Sequence, residues 1–186
     1  MTHYTNKDGL VTNSIWSLLE DGEKLWMGYN GRGMSVLENG RLTHYNTETG
    51  LSNDYVSCFA KEGKRVWIGT NGGGVNLLEN GQFKHYTKAT GLSNDQITSL
   101  LVENGRVWVG TNGGGVNIIE RDQIWHYKRQ QGLVDNGVTQ LALDSLGQVW
   151  AGTSRGLTRF VRKPDGGYQL RNWTKAHGFK FVNFNG

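Results

Sequence analysis

Proline and cysteine each occur once in the 186 residues. The single cysteine, Cys58, excludes an intramolecular disulfide, and with it the stapled frameworks of small secreted domains. It leaves the redox compartment open. No apolar run approaches the roughly 18 residues of a membrane-spanning helix. Met1-Thr2-His3-Tyr4 does not begin the charged-then-apolar pattern of a secretory leader. The expectation is a cytoplasmic chain, or part of a longer protein whose leader and membrane segments lie outside it. Charge of one sign is nowhere concentrated: 20 basic and 16 acidic residues are scattered, for a net charge of +4. That pattern describes a mildly basic solvated surface and gives no sign of a nucleic-acid partner, which calls for lysine and arginine gathered on one face. Apolar residues spaced three and four apart over ten or more positions are missing as well, which argues against helical bundles and helical solenoids.

What the chain does have is glycine, 28 residues of it, and tryptophan, 7 residues. Both are periodic. Gly9-Leu10, Gly50-Leu51, Gly91-Leu92 and Gly132-Leu133 recur every 41 residues. Trp26, Trp67, Trp108 and Trp150 follow at steps of 41, 41 and 42, and His3-Tyr4, His44-Tyr45, His85-Tyr86 and His126-Tyr127 keep the 41-residue step. Within the second unit, Val56–Ala60, Arg65–Thr70, Val75–Leu78 and Phe83–Tyr86 are rich in β-branched and aromatic residues and bounded by turn residues, the pattern of four short strands. Asn39-Gly40 and Asn80-Gly81 suit the positive φ angles of type I′ hairpins between third and fourth strands. Four strands in about 41 residues describe a propeller blade. The fold expected is all-β: four repeats of four antiparallel strands, in units of about 9–49, 50–90, 91–131 and 132–177, within one domain spanning 1–186 and forming part of a larger ring. A large aromatic at one place in each blade fills the gap between stacked sheets, so the four tryptophans are expected in the core.

Gly-Leu-Ser-Asn-Asp followed by Val-Trp-Ile/Val-Gly-Thr-Asn-Gly-Gly-Gly-Val resembles the two-component regulator propeller repeat. The resemblance runs from about Gly9 to Phe160. Trp150-Ala151-Gly152-Thr153-Ser154-Arg155-Gly156-Leu157 is a further match, and the first copy departs from it with Tyr29 in place of the threonine. The resemblance implies the periplasmic, extracytoplasmic sensor region of a membrane-bound bacterial regulator, a carbohydrate fragment as stimulus, and larger rings of around seven blades. The chain has no phosphoacceptor helix or ATP lid, so a kinase is not expected in it.

The ends suggest a window cut from a longer array; the alternatives are a compact four-blade ring, or two chains completing one larger ring. His3-Tyr4 resembles the fourth strand of a preceding unit. Gln169–Thr174 is the fourth strand of the last unit, and Phe179–Phe184 resembles the first strand of a following one.

Enzyme chemistry is not expected, and neither is a cofactor or a metal. The histidines fall on outer strands of different blades and point apart. Asp144 and the glutamates sit beside turns, as solvated groups. Cys58 aligns with Ser17 and Ser99 as a small packing residue. The triglycine runs lack the lysine and helix of a phosphate loop. Strand alternation places the loop before each first strand and the turn after each second strand on one face. That face carries Asn53-Asp54, Asn94-Asp95 and Asp135-Asn136, which read as turn-forming side chains. It also carries the candidate ligand-binding residues Tyr29, Asn30, Arg32, Asn71, Asn112 and Arg155, with Trp16 at the start of the first inner strand. Tyr29, Arg32, Trp16 and Arg155 break the repeat, and aromatic and arginine side chains dominate recognition surfaces. The function expected is a non-catalytic sensory propeller binding a small ligand such as an oligosaccharide. The alternative is a structural or protein-interaction propeller, with self-association or further blades as partners.

Overall fold

The computed structural model describes residues 3–178. Among these residues, sixteen strands form four separate sheets of four, each an antiparallel meander in chain order. Blade 1 consists of β1 (Ile15–Asp21), β2 (Lys24–Tyr29), β3 (Met34–Glu38) and β4 (Arg41–Tyr45). Blade 2 has β5 (Val56–Glu62), β6 (Arg65–Thr70), β7 (Val75–Glu79) and β8 (Gln82–Tyr86). Blade 3 has β9 (Ile97–Glu103), β10 (Arg106–Thr111), β11 (Gly115–Glu120) and β12 (Gln123–Tyr127). Blade 4 has β13 (Val138–Leu143), β14 (Val149–Thr153), β15 (Gly156–Arg162) and β16 (Tyr168–Trp173). This is the all-β propeller architecture expected from the repeat. His3 and Tyr4 are the exception: they form no strand, because no third strand lies beside them among the described residues. The first strand expected at Phe179–Phe184 lies outside the described residues.

The hairpins follow from their sequences. Asn39 and Gly40 have φ of 50° and 73°, and Asn80 and Gly81 have 52° and 77°. Both central residues are left-handed in each turn, as type I′ requires. The outer strand of each blade leads into a single turn of 3-10 helix, at Thr47–Thr49, Lys88–Thr90 and Arg129–Gln131, which ends on Gly50, Gly91 or Gly132. Leu51, Leu92 and Leu133 then plug the core of the next blade.

The core lies between blades, not within them. Each first strand packs on the next, β1 on β5, β5 on β9 and β9 on β13. Three apolar clusters fill the three seams. Trp26 faces Val56, Val66 and Ile68; Trp67 faces Ile97, Val107 and Val109; Trp108 faces Val138, Val149 and Phe160. Trp108 meets Phe160 and Tyr168 edge-on, at centroid separations of 5.0 and 4.9 Å. Burying one such side chain contributes about 1.5–3 kcal/mol, so each seam is a substantial part of the stability. Gly28, Gly69 and Gly110 are seats for these contacts. A Cβ on Gly69 would lie 2.8 Å from Ile97, and one on Gly110 would lie 2.9 Å from Val138.

Candidate functional site

Every first strand carries a bulge one residue in from its start. The pairing of Ile15 with Tyr29 is followed by Ser17 with Gly28, and Val56 with Thr70 is followed by Cys58 with Gly69. The same slip separates Ile97 from Ser99 and Val138 from Gln140. The extra residue is therefore Trp16, Ser57, Thr98 or Thr139. A bulge re-aims its side chain, and two of these hydroxyls cross the seam. Ser57 Oγ donates to the Ile97 carbonyl at 2.7 Å, and Thr98 Oγ1 to the Val138 carbonyl at 2.7 Å. In blade 1 the bulge holds Trp16, and Ser17 takes over the bond to the Val56 carbonyl at 3.4 Å.

The turns after the second strands lie beside these bulges. The hydroxyl of Thr70 accepts from Gly73 N–H and donates to Gly74 O, closing the Asn71–Gly74 turn. Asn71 N–H donates to Tyr55 O at 2.8 Å, and Asn112 N–H to Gln96 O at 3.0 Å. Across the seams, Asn71 bridges to Gln96 and Asn112 to Gly137. The loops before the first strands are thus fastened to the turns after the second strands, on the one face that alternation of strand direction predicts.

A cleft of about 250 Å³ opens on this face. Its walls repeat two positions from three blades: the bulge residues Trp16, Ser57 and Thr98, and the turn residues Asn30, Asn71 and Asn112. Tyr55 and Gln96 complete the rim. Trp16 and Tyr55 are largely exposed, and the Tyr55 ring lies against the Asn30-Gly31 turn. Among the described residues the lining has amides, hydroxyls and aromatic rings and no carboxylate, imidazole or ammonium group.

Of the residues singled out from sequence, Trp16, Asn30, Asn71 and Asn112 meet at the cleft. Tyr29 is there as floor: its ring is fully buried and its hydroxyl donates to Ser35 Oγ at 2.8 Å. Burial pushes that phenol above its ordinary pKa, against the opposing bond to Ser35. Tyr29 replaces the turn-closing threonine of the other blades, and its ring reaches inward where a threonine would stop short. Arg32 is exposed and does not line the cleft. Arg155 also lies away from it, held by Asp135 at 2.8 Å. Tyr55 and Gln96 were missed in the sequence. Each directly precedes its first strand and varies between units, which marks a position that packing does not fix.

The repeated polar residues are structural. Asn53 Oδ1 accepts from Tyr55 N–H and Asn94 Oδ1 from Gln96 N–H, both at 2.8 Å, as Asx turns. Asp54, Asp95 and Asn136 accept from the first N–H of the preceding 3-10 turn. Buried Asn76 and Asn117 hold the Ser52 and Ser93 loops through paired bonds. His85 and His126 donate to the Gly50 and Gly91 carbonyls. Among the described residues no group of three histidine, cysteine or carboxylate side chains could hold a metal. Asp144 is more than a solvated turn residue. It accepts from Leu146 and Gln148 N–H and from the Trp150 indole at 2.8 Å. The indole bond, first among these, holds its carboxyl below the ordinary range. Among the described residues, Trp26, Trp67 and Trp108 have no such partner for their buried N–H groups.

A model of the two component regulator propeller family matches residues 50–72, 91–113 and 132–155. The extracellular domain of a hybrid two component system from B. thetaiotaomicron is similar at 26% identity and a TM-score of 0.57, over 89% of this chain and 29% of that one. This chain therefore spans less than a third of that domain's length. Virginiamycin B lyase from Staphylococcus aureus shares the fold at 19% identity and a TM-score of 0.68, over 87% of this chain and 55% of that one. So does a computationally designed protein, Ika4, at 18% identity and 0.60, over 87% of this chain and 92% of that one. No curated protein matches the chain.

Proposed function

On the premise that this chain is built from two-component regulator propeller repeats, we propose that it is a non-catalytic sensory propeller of a bacterial signal-transduction regulator. Its working surface is the cleft of Trp16, Tyr55, Asn30, Asn71 and Asn112, and its ligand is a carbohydrate fragment. The carrying observation is the composition of that cleft. Flat aromatic rings exposed beside a row of amides suit a sugar, whose C–H face stacks on an aromatic and whose hydroxyls pair with amide groups. Sites of this kind are concave and largely apolar, with a few placed polar groups. The lining offers no ionisable pair for acid–base work, and general acid–base catalysis needs one. The likeness to an extracellular domain of a hybrid system supports an extracytoplasmic location within a longer membrane regulator. No helix among the described residues is long and apolar enough to cross a membrane.

Calorimetric titration of the chain with a panel of oligosaccharides tests this reading. One sugar class is expected to bind, with Trp16→Ala and Asn71→Ala each weakening it tenfold or more, about 1.4 kcal/mol. Binding that survives both substitutions, or turnover of any sugar in the panel, would overturn it.

A further inference from the structure

Neighbouring blades also meet along an outer groove, on the face opposite the cleft. Its walls are the outer strand of one blade and the hairpin between the third and fourth strands of the next. Between blades 2 and 3 this groove holds a cation of the chain itself. Lys84, on β8, places its Nζ 5.3 Å from the centre of the Tyr86 ring. The same Nζ lies 2.6 Å from Asp122 Oδ1, in the β11–β12 hairpin of blade 3. The Tyr86 hydroxyl donates to that oxygen at 2.5 Å. Beside them Arg65 pairs with Glu79 at 2.8 Å. An ammonium between a ring face and a carboxylate gains from both the ring quadrupole and the opposite charge.

Between blades 3 and 4 the surroundings are kept and the lysine is replaced. Tyr127 stands at the position of Tyr86. Arg106 pairs with Glu120 at 3.3 Å, as Arg65 does with Glu79. Asp165 lies in the β15–β16 hairpin of blade 4, where blade 3 has Asp122. Strand register puts Trp125 at the position of Lys84, opposite Ile118 and Leu77 respectively. Trp125 is 43% exposed. Asp165 Oδ1 accepts from Gly167 N–H at 2.9 Å, and among the described residues the carboxylate makes no ion pair.

The groove has a volume of about 390 Å³, and the rings of Trp125, Tyr127 and Tyr168 form part of its walls. Its charged lining is Arg106, Glu120 and Asp165. One negative charge there is left uncompensated, whereas between blades 2 and 3 Lys84 balances the lining at three cations and three carboxylates. Blades 1 and 2 show the third case. Thr43 stands at the lysine position, and the facing hairpin is Asn80-Gly81, without an acid. Cation and hairpin carboxylate are thus both present in one groove and both absent in another. The third groove has the carboxylate, an added aromatic wall and no lysine.

We propose that the groove between blades 3 and 4 binds a small alkylammonium ion, its charge between Asp165 and the Tyr127 ring and its alkyl groups against Trp125. Concave sites lined by rings with a few placed polar groups suit small ligands. The groove is separate from the cleft, so the proposal stands whether or not the cleft takes a sugar.

Calorimetric titration of the 1–186 chain with butylammonium, which reproduces the Lys84 side chain, and with choline tests it. At least one is expected to bind saturably, and its uncharged carbon isostere about tenfold more weakly or worse. Trp125→Lys copies blade 2 and supplies the ammonium from within. It should abolish binding while keeping the wild-type circular dichroism, since Trp125 is exposed. Asp165→Asn retains an acceptor for Gly167 N–H but loses the charge, and should weaken binding about tenfold. No saturable binding of either ammonium, equal binding of the isostere, or binding undiminished in either variant would overturn the proposal.

Discussion

His126 reaches from the outer strand of blade 3 to Gly91, 35 positions earlier, and donates its Nε2 proton to that carbonyl at 2.7 Å. Gly91 sits on the connection that enters blade 3 from blade 2, so the bond fastens the outermost strand to the segment that delivers the innermost one. Blade 4 makes the same tie with a different side chain: Asn172 Nδ2 donates to the Gly132 carbonyl at 2.8 Å. The histidine of blades 2 and 3 is therefore a clasp for which an amide can substitute, while His44 of blade 1 instead pairs its Nδ1 with the Ser35 hydroxyl.

Replacing His126 by alanine should lower stability by about 0.5–1.5 kcal/mol, the net worth of one hydrogen bond. His126→Asn should recover part of that loss, since blade 4 already uses the amide. Urea unfolding of both variants checks this, and equal losses would count against the clasp.

Gly74 and Gly81 have nearly the same backbone, with φ of 76° and 77°. Their surroundings differ. A Cβ on Gly74 would lie 2.2 Å from the Tyr86 carbonyl oxygen, while one on Gly81 would meet nothing within 4 Å. Gly81→Ala should cost about 1–2 kcal/mol, the strain of a left-handed alanine. Gly74→Ala adds a backbone clash and should cost clearly more. Thermal melts of the pair separate conformational strain from close approach.

Cys58 is only partly buried by surface, yet its sulfur sits in the seam against Gly69 and Ile97. Burial pushes its thiol up to about 12, against smaller opposing bonds from Ser57, Gly69 and Leu100. The thiolate is the reactive form, so the native chain should react slowly with a disulfide reagent at pH 8. The rate should rise sharply on unfolding in guanidinium, and rapid labelling of native protein would refute this.

Asp144 has its carboxyl held below the ordinary aspartate range, chiefly by the Trp150 indole. A depressed native value means stability that is present above the unfolded value of about 3.9 and lost as pH falls through the native one. Asp144→Asn should therefore melt below wild type at neutral pH. The gap should close as pH drops below about 3.9, because the protonated carboxyl then resembles the amide. A gap independent of pH would mean that the charge contributes nothing.

The period, the four-strand unit and the type I′ turns were legible because each has a local signature, such as Asn80-Gly81 between two β-rich runs. The cleft was legible only in part. Asn71 and Asn112 stand out as repeats and Trp16 as a departure, but the bulge that aims Trp16 has no residue signature, since tryptophan, serine and threonine all occupy it. A residue that breaks a repeat can face a ligand or fill a local void, and the fold alone shows that Tyr29 forms the floor of the cleft with its hydroxyl on Ser35, and that Arg155 pairs with Asp135. Asp144 reads in the sequence as a solvated turn residue, and its bond to the Trp150 indole emerges only in the fold. The longer hairpin it caps supplies the indole acceptor that the other blades lack.

The seat-and-knob seam also bears on how such chains lengthen. Both sides of every joint are written within a single 41-residue unit, so duplicating a unit creates a new joint that already fits. Ring size can then drift by whole blades with no compensating change elsewhere. The surface that a binding site needs, a rim of adjacent bulges and turns, grows by the same step.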